Sequence, residues 1–149
     1  MGVQFDQGED EVTVWAGKLK SVETLITGVW PGFPTDLMSV FIVLATQCEG
    51  VSLMHDWLYE SRMFFTDKLI SMGAHITIAD PHRVVIYGPS KLVGRKLETP
   101  DIRAGMSMVL AALVADGESE INRAELIERG YDNVVGNFNA LGADISVVE

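Results

Sequence analysis

The chain contains an internal repeat, and this feature restricts its fold more than any other. Residues 34–37 (Pro-Thr-Asp-Leu) begin an apolar helical pattern that ends at Gly50. Residues 100–103 (Pro-Asp-Ile-Arg) begin a matching pattern that ends at Gly117. A second set of glycines marks the start of successive copies at intervals of roughly 70 residues, namely Gly2, Gly73 and Gly142. Self-similarity on this scale predicts a fold assembled from copies of one supersecondary unit.

Each copy alternates between strand and helix patterns. In the first copy we expect strands over residues 22–27 and 51–55, helices over 37–48 and 62–72, and a hairpin of 74–79 and 83–87. In the second copy we expect strands over 92–97, 118–122 and 144–148, with helices over 102–115 and 131–141. Residues 3–5 and 12–15 predict a further hairpin around an acidic turn. A β-α-β-α-β-β unit buries one sheet face under its helices, so the sequence predicts an α+β (α/β) repeat with helices inward and sheets outward.

The repeat also predicts how the chain is divided. We expect a single partial domain over residues 1–149, with a first unit at about 18–88 and a second at about 89–149. Residues 1–17 then form the remnant hairpin of a preceding unit, and the third copy stops after residues 142–148, before its second strand. A missing unit should leave a face of helix and sheet uncovered, so we expect self-association through that face.

Composition excludes several classes of function. A net charge of −10 argues against nucleic acid or an anionic membrane as a partner. The apolar runs are too short to cross a bilayer, and the first residues lack the pattern of a signal peptide. A single cysteine, Cys48, allows no internal disulfide and fits a reducing cytoplasm. His55, His75 and His82 have no ligand spacing with one another or with Cys48, so we expect neither a metal site nor a cofactor.

Four short segments carry a resemblance to a known family. They are residues 31–37 (Pro-Gly-Phe-Pro-Thr-Asp-Leu), 59–64 (Tyr-Glu-Ser-Arg-Met-Phe), 101–104 (Asp-Ile-Arg-Ala), and 128–131 (Glu-Arg-Gly-Tyr) followed by 140–145. In order and spacing they resemble the enolpyruvyl transferases, and those that act on UDP-N-acetylglucosamine more than those of the shikimate pathway. Ser61 departs from the usual Asn of this pattern, and residues 132–137 depart from a customary charged stretch.

The resemblance implies a reaction and a set of residues for it. Enolpyruvyl transferases join the enol carbon of phosphoenolpyruvate to a hydroxyl, here the 3-hydroxyl of UDP-N-acetylglucosamine, and then expel phosphate. By resemblance Asp36 is the base that receives the hydroxyl proton, whereas the alternative is a carboxylate stabilised at a helix start. Arg129, at the head of the last helix, would contact the carboxylate or phosphate of phosphoenolpyruvate. Its alternative is a surface ion pair with Glu128 or Glu125.

The resemblance also assigns substrate contacts to four other residues. Arg62 would line the cleft or hold the loop of the facing unit in place. Arg103 would help to order the site, although an ion pair with Asp101 is the simpler expectation. Leu58 matches a position whose main chain touches the sugar nucleotide, and Thr35 would meet the ligand or, more simply, cap the helix.

Complete enzymes of this kind have two domains of three units each, with the active site between the domains. The chain resembles two units of one domain, so half of the cleft would be absent and we expect no turnover by this chain alone. Two alternatives stay open: a stand-alone structural or interaction module of the same fold, and a fragment of a shikimate-pathway enolpyruvyl transferase.

Overall fold

The computed structural model describes residues 1–60 and 62–148, and thus leaves Ser61 and its departure from the family pattern outside the description. The strands are β1 (Gln4–Gln7), β2 (Val12–Trp15), β3 (Thr24–Ile26), β4 (Gly50–His55), β5 (His75–Asp80), β6 (Arg83–Gly88), β7 (Lys96–Glu98) and β8 (Glu120–Asn122). The helices are α1 (Met38–Thr46), α2 (Thr66–Ser71), α3 (Ile102–Val114), α4 (Glu125–Glu128) and α5 (Val134–Ala140). Short 3-10 turns, Thr35–Leu37 and Arg62–Phe65, lead into α1 and α2.

The first unit forms a four-stranded mixed sheet in the order β3-β4-β6-β5. β3 runs parallel to β4 across the connecting helix α1, and the hairpin β5–β6 pairs antiparallel to β4 through β6. Met54, Val84 and Ile86 lie on the inner face and are completely buried, whereas alternate residues of β5 point to solvent. This alternation is expected of a sheet with one wet face, and it places the sheet on the outside of the molecule.

The second unit repeats the backbone of the first. β7 runs parallel to β8 across α3, as β3 does to β4 across α1. The amide of Val22 donates to Ser52 Oγ at 3.2 Å, and in the second unit the amide of Arg95 donates to Ser119 Oγ at 3.3 Å. The glycines that mark the repeat, among them Gly73 (φ +104°), have positive φ angles, which explains why glycine recurs there.

The helices form the centre of the molecule. α1 packs along α3, and both lie inside the sheets in a core that includes Ile42, Leu69 and Met108. α3 approaches α4 closely at Gly105, where an added Cβ would lie 2.6 Å from Ile127 Cγ1. The expected mixed α/β arrangement with inward helices and outward sheets is therefore confirmed.

One expected element is wrong and another is shorter than expected. Residues 144–148 do not form a strand, because no second strand of a hairpin is present beside them in the described part of the chain. The helix expected over residues 131–141 forms as the shorter α5 (Val134–Ala140), and the short helix α4 (Glu125–Glu128) before it was not expected. Asn133, in a left-handed conformation (φ +46°) directly before α5, explains why the helix begins later than expected.

The buried face of α1 also differs from the expected one. Leu37 is exposed and Val40 and Leu44 are only partly buried, whereas Met38 and Ile42 lie in the core. Apolar residues surround this helix on all sides, so the sequence pattern could not identify which side faces the sheet.

Candidate functional site

Asp36 lies at the seam between the two units. It belongs to the first turn of the 3-10 segment that begins after Pro34, and its carboxylate accepts a hydrogen bond from Nε of Arg103, which belongs to the second unit. Arg62 Nη1 lies 3.7 Å from the same carboxylate oxygen. The hydrogen bond from Arg103 and the charges of both guanidinium groups lower the pKa of Asp36 below its ordinary value of 3.8, and partial burial opposes this shift.

Arg103 is directed to this carboxylate by the start of α3. Asp101 caps the helix, because its Oδ1 accepts the amide of Arg103 at 2.8 Å and the amide of Ala104 at 3.1 Å. The expected ion pair between Asp101 and Arg103 is thus wrong: Asp101 binds the backbone, and the guanidinium pairs with Asp36 instead. The hydrogen bond to Asp36 also raises the pKa of Arg103.

The backbone of Arg103 links α3 to α1. Its carbonyl oxygen accepts the hydroxyl of Ser39 from α1 and the hydroxyl of Ser107 from α3, both at 3.1 Å. Ser39 is buried. The hydroxyl of Ser39 therefore adds a further hydrogen bond across the seam, beside the Asp36–Arg103 pair.

Asp56 is a buried carboxylate that the sequence reasoning missed. It follows β4, is 0% exposed, and accepts hydrogen bonds from Thr27 Oγ1 at 2.9 Å, from the amide of Leu58 at 3.1 Å and from Thr35 Oγ1. These bonds tie together the end of β3, the loop after β4 and the turn that carries Asp36. A carboxylate directly after a buried strand was the available sequence signal.

The same contacts settle the structural positions of Thr35 and Leu58. Thr35 does not cap the helix as expected, because its hydroxyl donates to Asp56 and Pro34 occupies the capping position without a side-chain bond. Leu58 is partly buried, and Asp56 engages its amide. Beside it, Trp57 Nε1 donates to the carbonyl of Thr27 at 2.6 Å, which leaves the indole about half exposed.

Arg62 lies on the rim of a pocket at this seam. Its guanidinium carbon is 4.4 Å from the ring centroid of Tyr59, a distance typical of a cation–π contact. The pocket is lined by Thr35, Asp56, Arg62, Asp101 and Arg103, together with apolar residues of α1 and α3. The lining of this pocket, together with Asp36, is called the wall. Five of the six candidate residues, all except Arg129, lie in the wall or in the loops that Asp56 anchors.

Arg129 occupies a different position from the expected one. It follows α4 rather than heading the last helix, and its side chain is exposed. Gly130 packs against the start of α3, where an added Cβ would lie 2.5 Å from Ile102 Cγ2. The residue thus stands beside the helix start that carries Arg103. In the described residues the expected ion pairs with Glu125 and Glu128 are not formed.

The wall offers guanidinium groups for anions and, in Asp36, a carboxylate that could accept a proton. Arginine binds carboxylate and phosphate through paired donors, which suits a multiply anionic ligand. Among residues 1–60 and 62–148 no group of three or more His, Cys, Asp or Glu side chains could hold a metal ion. In the same residues no helix is long and apolar enough to cross a membrane.

Comparison with known proteins identifies the family. Residues 1–138 match the family model described as EPSP synthase (3-phosphoshikimate 1-carboxyvinyltransferase). The chain belongs to this family of enolpyruvyl transferases.

Curated members of this enzyme family include close relatives of the chain. UDP-N-acetylglucosamine 1-carboxyvinyltransferase of Bradyrhizobium diazoefficiens is 60% identical over 119 residues, which is 80% of the chain and 28% of the relative. The enzyme of the same name from Borreliella burgdorferi is 57% identical over 160 residues, covering 100% of the chain and 37% of the relative. The chain thus spans about a third of the length of the curated relatives it matches.

Solved structures of enolpyruvyl transferases share the fold. The enolpyruvyl transferase NikO from Streptomyces tendae superposes with a TM-score of 0.86 at 29% identity, over 98% of the chain and 34% of that structure. EPSP synthase from Acinetobacter baumannii superposes with a TM-score of 0.69 at 20% identity, a likeness of fold alone. The resemblance inferred from the four sequence segments is therefore confirmed.

Proposed function

We propose that the chain supplies one wall of a carboxyvinyl transferase site, which moves the enolpyruvyl group of phosphoenolpyruvate to the 3-hydroxyl of UDP-N-acetylglucosamine. This reaction is the first committed step of peptidoglycan synthesis and takes place in the cytoplasm. The observation that carries the proposal is the Asp36 carboxylate between Arg103 and Arg62 at the seam of the units. The identity of 60% to a named UDP-N-acetylglucosamine enzyme supports this substrate over a shikimate-pathway one.

Asp36 is the proposed base. In the unliganded chain its guanidinium partners lower its pKa, which weakens it as a proton acceptor. The phosphate and carboxylate of phosphoenolpyruvate would compete for Arg103 and Arg62. A carboxylate freed from these cations and placed beside anions gains basicity, so substrate binding itself would prepare Asp36 to accept the proton of the sugar hydroxyl.

The arginines are the proposed anion contacts. Arg62 and Arg103 lie in the wall, and Arg129, which is exposed, would contact the ligand from beside the start of α3. Thr35 and the main chain of Leu58 would meet the sugar nucleotide from the loops that Asp56 holds. The proton donor to the enol methylene and further cations would come from outside these 149 residues.

The chain alone is expected to be catalytically silent. The chain supplies only one side of the proposed cleft. Its net charge of −10 also repels both anionic substrates everywhere except near the arginines. Mixing the chain with both substrates and following phosphate release should give no turnover above the uncatalysed rate. Measurable turnover would contradict the division of the site between this chain and another part of the enzyme.

Ligand binding tests the proposal directly. We expect weak binding of UDP-N-acetylglucosamine, detected by amide shift changes near Asp36, Leu58 and Arg103 in an NMR titration. Asp36→Ala should abolish these changes, and Asp144→Ala, which removes an exposed carboxylate from the C-terminal segment, should keep them. A preference for shikimate 3-phosphate would favour the shikimate-pathway alternative. No response to either ligand would favour a non-catalytic module of the same fold.

A further inference from the structure

The hairpin β1–β2 presents an apolar face that nothing in the described chain covers. Phe5, Val12 and Val14 are 62%, 62% and 61% exposed. The two strands pair only with each other in the part of the chain that the structure describes. A pair of strands isolated in this way is marginally stable in water, so the face and the free edge call for a partner.

The internal repeat indicates what this hairpin would pack against. Gln4 pairs with Trp15 as His75 pairs with Tyr87, and Gln4 and His75 each lie at the same interval after their repeat glycine. The hairpin β1–β2 therefore corresponds to β5–β6 of the first unit. Its exposed residues Phe5, Val12 and Val14 then correspond to Ile76, Val84 and Ile86, and of these Val84 and Ile86 are 0% exposed.

The second unit shows the complementary gap. In the first unit β4 pairs with β3 on one side and with β6 on the other, whereas the equivalent strand β8 pairs only with β7 among the described residues. Met72, at the end of α2, is 1% exposed, whereas Leu141, at the equivalent end of α5, is 84% exposed. The second unit thus has an open sheet edge and an uncovered apolar residue where the first unit has its hairpin.

We propose that the hairpin of one copy of the chain completes the second unit of another copy, with β2 antiparallel to β8 as β6 is to β4. The register follows from the repeat. Leu53 pairs with Val85 in the first unit, which places Thr13 opposite Glu120 of the second copy. Phe5, Val12 and Val14 would then cover Leu141 and the inner face of β8. Two such seams formed reciprocally give a closed dimer.

Charge at the turn fits this arrangement. In the first unit the turn of the hairpin lies against the loop after β4, where the amide of Asp56 donates to the carbonyl of His82 at 2.9 Å. At the equivalent place in the second unit stands Arg123, whose side chain is about half exposed and whose Nη1 lies 3.5 Å from Glu98 Oε1. The turn of β1–β2 is acidic, with Glu9 and Glu11. The seam would thus bring an acidic turn next to an arginine of the second copy.

The long-range charge acts in the opposite direction. Each copy carries −10, so two copies repel until salt screens them. Association should therefore strengthen as ionic strength rises. The proposal concerns an assembly surface distant from Asp36, and it holds whether or not the chain binds a nucleotide sugar.

A disulfide between two differently tagged chains tests the register. In a Cys48→Ala background, one chain carries Thr13→Cys and the other Glu120→Cys, and the two are mixed in a glutathione buffer. We expect a mixed disulfide in several-fold higher yield than from the matched pair Asp6→Cys with Glu120→Cys, because Asp6 lies on the outer strand β1. Equal yields, or no mixed disulfide, would overturn the proposed pairing.

Sedimentation of the unmodified chain tests the assembly. We expect a concentration-dependent dimer that Val14→Asp weakens at least tenfold, because it places a charge on the face that should become buried. Gln4→Asp adds the same charge to the outward face and should leave the dimer unchanged. Since Val14 is exposed in the single chain, its loss should not unfold the protein, which circular dichroism checks. A monomer at every concentration and salt would refute the proposal and leave these edges to another segment of polypeptide.

Discussion

Replacement of Asp56 by alanine should destabilise the protein more than any other single change near the site. The carboxylate is fully buried and accepts bonds from Thr27, Thr35 and the amide of Leu58. Thr27 is itself 2% exposed, so its hydroxyl would lose its partner without gaining water. A buried group left unpaired costs about 1–3 kcal/mol, and a bond to a charged group contributes about 1.5–3 kcal/mol. Since Thr35 and Leu58 can turn partly to water, we expect a total of roughly 3–5 kcal/mol.

Thermal and urea unfolding, followed by circular dichroism, would measure this effect. For a domain of this size the loss corresponds to a fall in Tm of roughly 6–20 °C. Asp56→Asn keeps the shape and one acceptor oxygen, so it should retain part of the stability. Asp144→Ala removes an exposed carboxylate and should change the free energy of unfolding by less than about 0.5 kcal/mol. If Asp56→Ala and Asp144→Ala were equally stable, the proposed anchoring of the Asp36 turn by Asp56 would be wrong.

Two further changes probe the start of α3 and the charged pair. Asp101→Ala should cost about 0.5–2 kcal/mol in urea unfolding, because α3 loses its N-cap, while Asp101→Ser should restore most of that loss; equal effects would contradict the capping role. The pKa of Asp36 is lowered in the folded chain, so its charge contributes stability that is present above the ordinary pKa of 3.8 and is lost as pH falls through the lowered value. The difference in unfolding free energy between the wild type and Asp36→Asn should therefore shrink in that acidic range, and a difference independent of pH would contradict the ion pairing.

Periodicity and repetition were sufficient to predict the architecture. The hairpin expected over residues 74–79 and 83–87 forms β5 and β6 with ends shifted by about one residue. The helix expected over residues 102–115 forms as α3, Ile102–Val114. These elements have strong local signals that agree with their tertiary surroundings. The strand expected over residues 144–148 did not form, since an alternating pattern is not sufficient where no neighbouring strand pairs with it among the described residues.

The sequence motifs identified the site residues that lie within them, but they could not identify a residue whose role depends on its burial. Asp36, Arg62 and Arg103 came from the four family segments, and they meet in one wall. Asp56 stood outside those segments, and only the fold reveals that two distant threonines converge on it. The position of Arg129 was missed because α5 begins at Val134, later than the expected start at Tyr131, and Arg129 instead follows the unexpected short helix α4. The low helix propensity of Asn133 could suggest the late start, but not the packing of Gly130 on Ile102.

The two units carry unlike side chains at matching points of their shared backbone pattern. Asp56 of the first unit corresponds to Arg123 of the second, and Thr99, the counterpart of Thr27, has a buried hydroxyl without a partner in the part of the chain described. At the seam, Asp36 corresponds to Ile102. The carboxylate at the seam therefore comes from the first unit and the guanidinium of Arg103 from the second. A repeated backbone with unlike side chains thus gives this contact opposite charges on its two sides.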